Sequence, residues 1–490
     1  MNKSKGYSDI LKGTTLFGGV QVFQIIIQIA KSKVMAVLLG PVGFGLVGLL
    51  NTTISLITNL TNFGIGTSAV KEISQAYVSD DKEDFYKTVG IIRRVVWVTG
   101  IFGALLLLIF AEPIGKLTFG NSDFNTGLRL LSITLLVNQL LVGNKAIFQG
   151  SRKLSYLALS TLFGSFLGLC VSVPLYYWYG LDGVVPSMIL SSIVGYFVTI
   201  PFFKKLKIKR VRLDSNELIK NSKPLLQLGM AISVSGILNM VVAYGIRIYM
   251  RSDGGLDDVG LFTAGFTIVN SYVGLVFSAM STDYFPRLSA ANNDKSQMIL
   301  LVNQQAEITS IMLTPILGGL ILFVHFGISI LYSSDFLSVT NMVVWAALGT
   351  MLKGVSWALA YVFLATGESK AFFWNELVYN IYFFVSSLLG YYFFGLSGLG
   401  LAILVTYIIY GIQVYIIIRR KIDFSFSNSF IRMLLIQLSL VTGIVLVHFL
   451  ISDWTKYIFG GIIFLVSIIM SYNELNKRLD ITNLIKKKIL

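Results

Sequence analysis

Along this chain apolar residues gather into runs of about 20, the length that carries an α-helix across the hydrocarbon of a bilayer. Short joints rich in glycine and charge separate the runs. They predict helices near residues 10–38, 43–63, 89–111, 124–148, 155–178 and 183–203. A second set follows near 225–250, 259–284, 304–330, 336–365, 371–394 and 398–418. Two last runs, 430–450 and 456–472, match nothing in either set. The expected fold class is all-α, a polytopic membrane protein of about 14 transmembrane helices.

The two sets of six read as copies of one unit. YYWYGLDG at Tyr176–Gly183 returns as YYFFGLSG at Tyr391–Gly398, an offset of 215 residues. Gly43 and Gly48 return as Gly260 and Gly265, and Gly150 and Lys153 as Gly367 and Lys370, both at 217. Lys31 is answered by Arg247 at 216. This divides the chain into an N-terminal six-helix lobe, residues 1–213, a C-terminal six-helix lobe, 214–423, and two additional helices with a basic tail, 424–490. A parallel repeat in a membrane bundle implies two lobes about an axis along the membrane normal, with the substrate path between them.

Composition agrees: 55% of residues are hydrophobic, 13% are charged, and the mean hydropathy is +0.75, far from an ordinary soluble domain. The net charge of +15 follows from the topology rather than from an anionic polymer as partner. With the N-terminus inside, about 30 of the 39 Lys and Arg residues fall on the cytoplasmic side, including the run Lys204, Lys205, Lys207, Lys209, Arg210 and Arg212. Both termini are then cytoplasmic, and no soluble basic domain is present to bind nucleic acid. The first apolar run is long and belongs to the repeat, so it is expected to stay as a span rather than be cleaved as a signal peptide.

Several chemistries are excluded by motif. The chain has no GxxxxGK[ST] loop and no HExxH, and its two histidines are His325 and His448. Gly43, Gly45 and Gly48 satisfy GxGxxG but open a membrane helix instead of following a strand, so helix packing and a tight turn after Pro41 explain them better. The single cysteine, Cys170, cannot form an intrachain disulfide. No cofactor and no catalytic residue is expected. The aromatics Tyr391, Tyr392, Phe393 and Phe394 are expected at the interface and toward lipid.

The informative departures are cations within or near the ends of apolar spans, each costing about 2.5–3.5 kcal/mol at a helix centre. Lys31, Lys33, Lys145, Arg247 and Lys353 are the candidate cavity cations. Snorkelling to a head-group region is the competing explanation for Lys31, Lys33 and Lys145. Glu376, Glu307 and His325 are the titratable groups placed to couple transport to a proton, or to serve as ion-pair and packing partners. No metal site is expected.

The segment KSKVMAVLLGPVGFGLVGLLNT, followed by NFGIGTSAVKEISQAY, resembles the oligosaccharide flippases of the polysaccharide-transporter branch of the multidrug/oligosaccharidyl-lipid/polysaccharide exporter superfamily, especially O-antigen and enterobacterial-common-antigen translocases. The LGPxGxGLxG stretch and Lys71 after the second helix carry the likeness. The resemblance implies movement of undecaprenyl-pyrophosphate-linked oligosaccharide from the inner to the outer leaflet of the bacterial cytoplasmic membrane, by alternating access through a cationic cavity. Many members stop at twelve helices, so the last two spans are a departure from the pattern.

Such a cargo suits the residues. One unpaired hydroxyl moved into hydrocarbon costs about 4–8 kcal/mol, so a glycan head needs a wet cleft, and cations suit its diphosphate. Membrane lipids, and polymerase or length-control proteins, are the other partners implied. A lipid II flippase and a cation-coupled multidrug exporter are the alternatives within transport, the latter calling for an acidic cavity. A membrane glycan polymerase would need a sizeable outer loop with catalytic residues, which the short joints do not supply.

Overall fold

The computed structural model describes residues 3–78, 82–209, 211, 215–292 and 294–479. Arg210 and Arg212 of the basic run, the join at 213–214 and the basic tail from residue 480 lie outside the described residues. Among the described residues every regular element is helical. Fourteen long segments account for the expected spans: α1 (3–39), α2 (41–62), α3 (Lys82–Ile109), α4 (Asn125–Gly150), α5 (Leu154–Tyr179), α6 (Val184–Lys205) and α7 (215–254). Then come α8 (256–290, with a π turn at Ile268–Tyr272), α9 (Lys295–Leu322), α10 (Thr340–Ala365), α11 (369–394), α12 (396–422), α13 (Asn428–Leu450) and α14 (Thr455–Leu479). Three short helices, Ile65–Val78, Ala111–Phe119 and Val324–Leu331, lie in the joints.

Local chemistry sets the ends. Gly40 (φ 61°) breaks α1 from α2 before Pro41, and Gly255 (φ 75°) breaks α7 from α8. A left-handed residue inside an apolar run calls for glycine, which has no Cβ to clash. Asp294 caps α9 by accepting from the Gln297 amide (3.0 Å), and Ser427 caps α13 by accepting from that of Phe430 (3.0 Å). Helix α9 begins at Lys295, nine residues before its predicted run, where the Asp294 cap sets its start. The run predicted as 304–330 is cut at Phe323, where the chain turns into the short helix Val324–Leu331.

The backbone carries the repeat more sharply than residue identities do. Gly40 and Gly255, Arg152 and Gly367, and Gly180 and Gly395 all have positive φ, and the members of each pair lie 215 residues apart. The α4–α5 joint and the α10–α11 joint even close with the same hydrogen bonds, Lys153 N to Phe148 O (2.8 Å) and Glu368 N to Phe363 O (3.0 Å). The offset is therefore 215 at these landmarks, which corrects the pairings read at 216 and 217 and sets Gly367 against Arg152 instead of Gly150. Gly260 answers Gly45, not Gly43, and Ile246, not Arg247, answers Lys31. One residue of slip turns a side chain about 100° around the helix axis, so Lys31 and Arg247 do not share a face.

The chain forms two compact units, Met1–Gly260 with Leu331–Ser333, and Leu261–Ile330 with Ser334–Leu490. In the first, Ile65, Ile73, Val89, Ile92 and Ile147 build a core. Arg251 reaches the short helix Ala111–Phe119 and donates to the carbonyls of Thr118 (2.9 Å) and Leu117 (3.2 Å), satisfying its C-terminus. In the second, Tyr284, Phe363, Val414 and Phe424 are fully buried together. Of the aromatics expected to face outward, Tyr392, Phe393 and Phe394 are exposed, but Tyr391 is buried, as is Tyr176 at the matching place. Tyr176 turns inward because Ser187 donates to its hydroxyl (3.0 Å).

In the first unit α2 and α8 cross at glycine. A Cβ on Gly45 would fall on the Leu256 carbonyl oxygen, and one on Gly260 on the Pro41 carbonyl oxygen. Gly45→Val or Gly260→Val is expected to destabilise the protein by about 1–3 kcal/mol or more, read as a lowered thermal midpoint in detergent. Gly461→Ala, where nothing lies within 4 Å of the added carbon, leaves the midpoint unchanged. Equal midpoints for Gly45→Val and the wild type would dismiss the crossing as a constraint.

Candidate binding cavity

Four helices of the first unit present a polar face at helical spacing to one cavity of about 490 Å³. Helix α1 contributes Gln24, Gln28 and Lys31, and α4 contributes Asn138, Leu141 and Lys145. From α5 come Ser160, Thr161, Gly164, Ser165 and Gly168, and from α6 Ser191, Ser192 and Gly195. Ile27 completes the wall, and no lining residue is acidic.

The hydrogen bonds of the wall divide the work. Thr161, Ser160 and Ser191 spend their protons on helix carbonyls, at 2.7, 3.2 and 3.3 Å, which leaves hydroxyl lone pairs as acceptors. The ammonium groups of Lys31 and Lys145 and the side-chain amides supply donors. A ligand that suits this wall carries anionic oxygens for the lysines and hydroxyl donors for the serines and threonine.

The other sequence candidates lie elsewhere. Lys33 donates to the Tyr332 carbonyl, and the Tyr332 ring packs edge-on against Phe44 (5.3 Å). Arg247 is half-buried on α7 and donates to the Ala243 carbonyl one turn back (3.1 Å). Lys353 belongs to the second unit, where its ammonium lies over the rings of Phe277 (5.3 Å) and Tyr407 (5.6 Å). So Lys31 and Lys145 are brought together, while Lys33 and Arg247 are absent from the lining.

Among the coupling candidates, Glu376 accepts from the Tyr410 hydroxyl (3.1 Å), to which Asn375 donates (3.1 Å). The hydroxyls of Tyr379 and Tyr407 meet at 3.5 Å beside them. Glu307 is held by Arg478 (2.9 Å), which also binds Glu474. His325 lies on the short helix after the Phe323 break, its ring 5.7 Å from that of His448. Lys71 lines a second cavity beside Ile65–Val78, with Thr67, Ser74, Gln75 and Gln149.

Sequence reasoning missed the amide and hydroxyl lining. Its trace is there in hindsight: Gln24, Gln28 and Lys31 fall on one helix face, as do Thr161, Ser165 and Gly168.

Fourteen long helices, twelve of them in two related sets, with a cavity lined by lysines, amides and hydroxyls in one unit, define a multi-pass membrane transporter. The chain belongs to the family described as polysaccharide biosynthesis protein, whose model matches residues 34–341. The lipid III flippase of Escherichia coli (strain K12) is 24% identical to it over 359 residues, covering 70% of this chain and 82% of that protein. Two solved structures share its fold. An inward-facing multidrug resistance MATE family transporter of the MOP superfamily superposes with TM-score 0.69 at 15% identity, over 82% of this chain and 94% of that one. Lipid II flippase MurJ in an inward closed conformation does so with TM-score 0.66 at 17% identity, over 95% and 99%. That coverage leaves too little of the chain over to omit the last two helices.

The Glu307 ion pair joins α9 to α14. Glu307→Gln is expected to cost about 1–2 kcal/mol, less than for a fully buried pair because Glu474 still holds Arg478. The thermal midpoint in detergent reads this. An unchanged midpoint with a displaced pH profile of transport would instead make Glu307 a coupling group.

Proposed function

We propose that this protein is a flippase that moves polyprenyl-diphosphate-linked oligosaccharide, of the O-antigen or related surface-polysaccharide kind, from the inner to the outer leaflet of the bacterial cytoplasmic membrane. The observation that carries the reading is the cavity of the first unit: two lysines, amides and hydroxyls, with no carboxylate among them. A diphosphate pairs with the lysines, the sugars exchange hydrogen bonds with the serines and amides, and the prenyl chain stays in lipid. Family membership and the likeness to a lipid III flippase support the same cargo class.

Transport proceeds by alternating access, with the six-helix lobes 1–213 and 214–423 exchanging exposure between the two sides and both termini in the cytoplasm. Arg247 is a further cation for the anionic head along its path, whereas Lys353 is engaged by the Phe277 and Tyr407 rings of the second unit. Glu376 and His325 are the coupling groups. Single units that have crossed must then be chained, so polymerase and length-control proteins are the protein partners of this reading.

A multidrug exporter of the same fold is disfavoured by charge. Cationic cargo calls for carboxylates in the cavity, where this one presents lysines.

The test is leaflet transfer of a polyprenyl-diphosphate oligosaccharide in reconstituted vesicles. Lys31→Gln and Lys145→Gln are each expected to slow transfer about 10- to 100-fold, one charge-assisted contact apiece, with no fall in the thermal midpoint. Wild-type transfer by the double variant would overturn the cavity assignment. Arg247→Ala at normal protein level is expected to abolish transfer, and normal transfer would remove Arg247 from the path.

A further inference from the structure

The 215-residue correspondence lets the cavity of the first copy be compared with the same place in the second. Asn125–Gly150 and Thr340–Ala365 match end to end, and Gly180 matches Gly395 at the turn that follows the next helix. Under that correspondence the cavity residues Gly164, Ser192 and Gly195 become Tyr379, Tyr407 and Tyr410. Thr161 becomes Glu376, and Asn138 becomes Lys353.

The three tyrosines pack on one another in the second unit, with the Tyr379 ring 5.0 Å from that of Tyr410 and 6.2 Å from that of Tyr407. Tyr410 donates to Glu376, and Lys353 lies over the Tyr407 ring. Where one copy holds aromatic rings and a carboxylate, the other holds two glycines, a serine and open volume.

Backbone geometry does not demand these glycines. Neither has a positive φ, and a Cβ on Gly164 or Gly195 would meet nothing nearer than 3.5 or 3.7 Å, ordinary contact. Gly45 is the contrast, since its Cβ would fall on a carbonyl oxygen. Glycine is also the poorest residue after proline in a helix interior. What the missing side chains leave behind is room beside Lys31 and Lys145.

We propose that Gly164, Ser192 and Gly195 determine specificity: they set the size of the glycan head admitted next to the diphosphate, and the second copy, filled by its own tyrosines, does not take the head. This rests on the flippase reading and goes beyond it by naming the residues that select the cargo by size.

The test uses the full-length protein in vesicles holding two probes, undecaprenyl diphosphate bearing one N-acetylhexosamine and the same lipid bearing a linear oligosaccharide. Transfer is read by the accessibility of the sugar to an external lectin. Gly195→Tyr and Gly164→Tyr are expected to lower the ratio of oligosaccharide-lipid to one-sugar-lipid transfer about 10-fold or more. If a tyrosine variant does not fold, Gly195→Ala and Ser192→Phe carry the same comparison, with a smaller selective loss for alanine. Equal rates for both probes in all variants, or equal loss of both at an unchanged thermal midpoint, would overturn the proposal. Wild-type protein that transfers neither probe would instead overturn the flippase reading, and this inference with it.

Discussion

Two helix starts meet through backbone, and the first unit is arranged around that meeting. Gly45 lies against the Leu256 carbonyl and Gly260 against that of Pro41, so each copy of the repeat presents the same surface to the other. The contact is reciprocal in the way of an isologous interface between subunits. Lipid offers no hydrophobic drive to press helices together, so close approach of small residues and weak Cα–H···O bonds must supply the attraction. The chain enters this crossing through the left-handed turns at Gly40 and Gly255, which set the courses of α1 and α7. On α7, Tyr244 and Arg251 then reach the short helix Ala111–Phe119 at Thr118.

Within that frame the cavity is a destabilising feature. A buried cation costs several kcal/mol unless it is paired or hydrated, and Lys31 and Lys145 share a wall without a carboxylate. The contrast with α14 is instructive, because there Arg478 is matched by both Glu307 and Glu474. A fold seeking stability alone pairs its charges as α14 does. The two lysines beside serines, amides and glycines have no such carboxylate in the cavity wall.

Span positions are legible in the sequence because hydrocarbon thickness fixes run length, and glycine and proline mark most ends. Legibility fails where apolarity continues through a change of direction. Leu322 and Val324 are both buried on either side of the break at Phe323, so hydropathy sees one helix where the backbone makes two. The repeat is legible too, but its register is not. Matching glycines tolerates a slip of one or two residues, and one residue was enough to pair Lys31 with Arg247 and give them a shared face. Lys31 and Lys145 stand out in sequence as charges in apolar runs. Their neighbours Ser160, Thr161 and Ser191 do not, since small hydroxyl residues are common packing material in membrane helices. Tyr391 misleads for a similar reason: four consecutive aromatics read as one outward patch, although a helix turns each by about 100° and carries the first of them inward.

Duplication gives a transporter two chances to build a site, and the copies here have taken different courses on one scaffold. Positions 161, 164, 192 and 195 are threonine, glycine, serine and glycine, and their counterparts are Glu376, Tyr379, Tyr407 and Tyr410. Helices α4 and α10 have the same length, as do α5 and α11, and the turns between them match, so at these positions the copies differ in side chains rather than backbone. In the second unit polar atoms pair within the cluster, Tyr410 donating to Glu376 and Gln413 to Asn375. In the first they face open volume. A site whose polar groups satisfy one another has little to gain from an incoming hydroxyl or phosphate, whereas a hydrated site exchanges water for ligand at small cost. The two copies therefore differ in what they can offer a ligand.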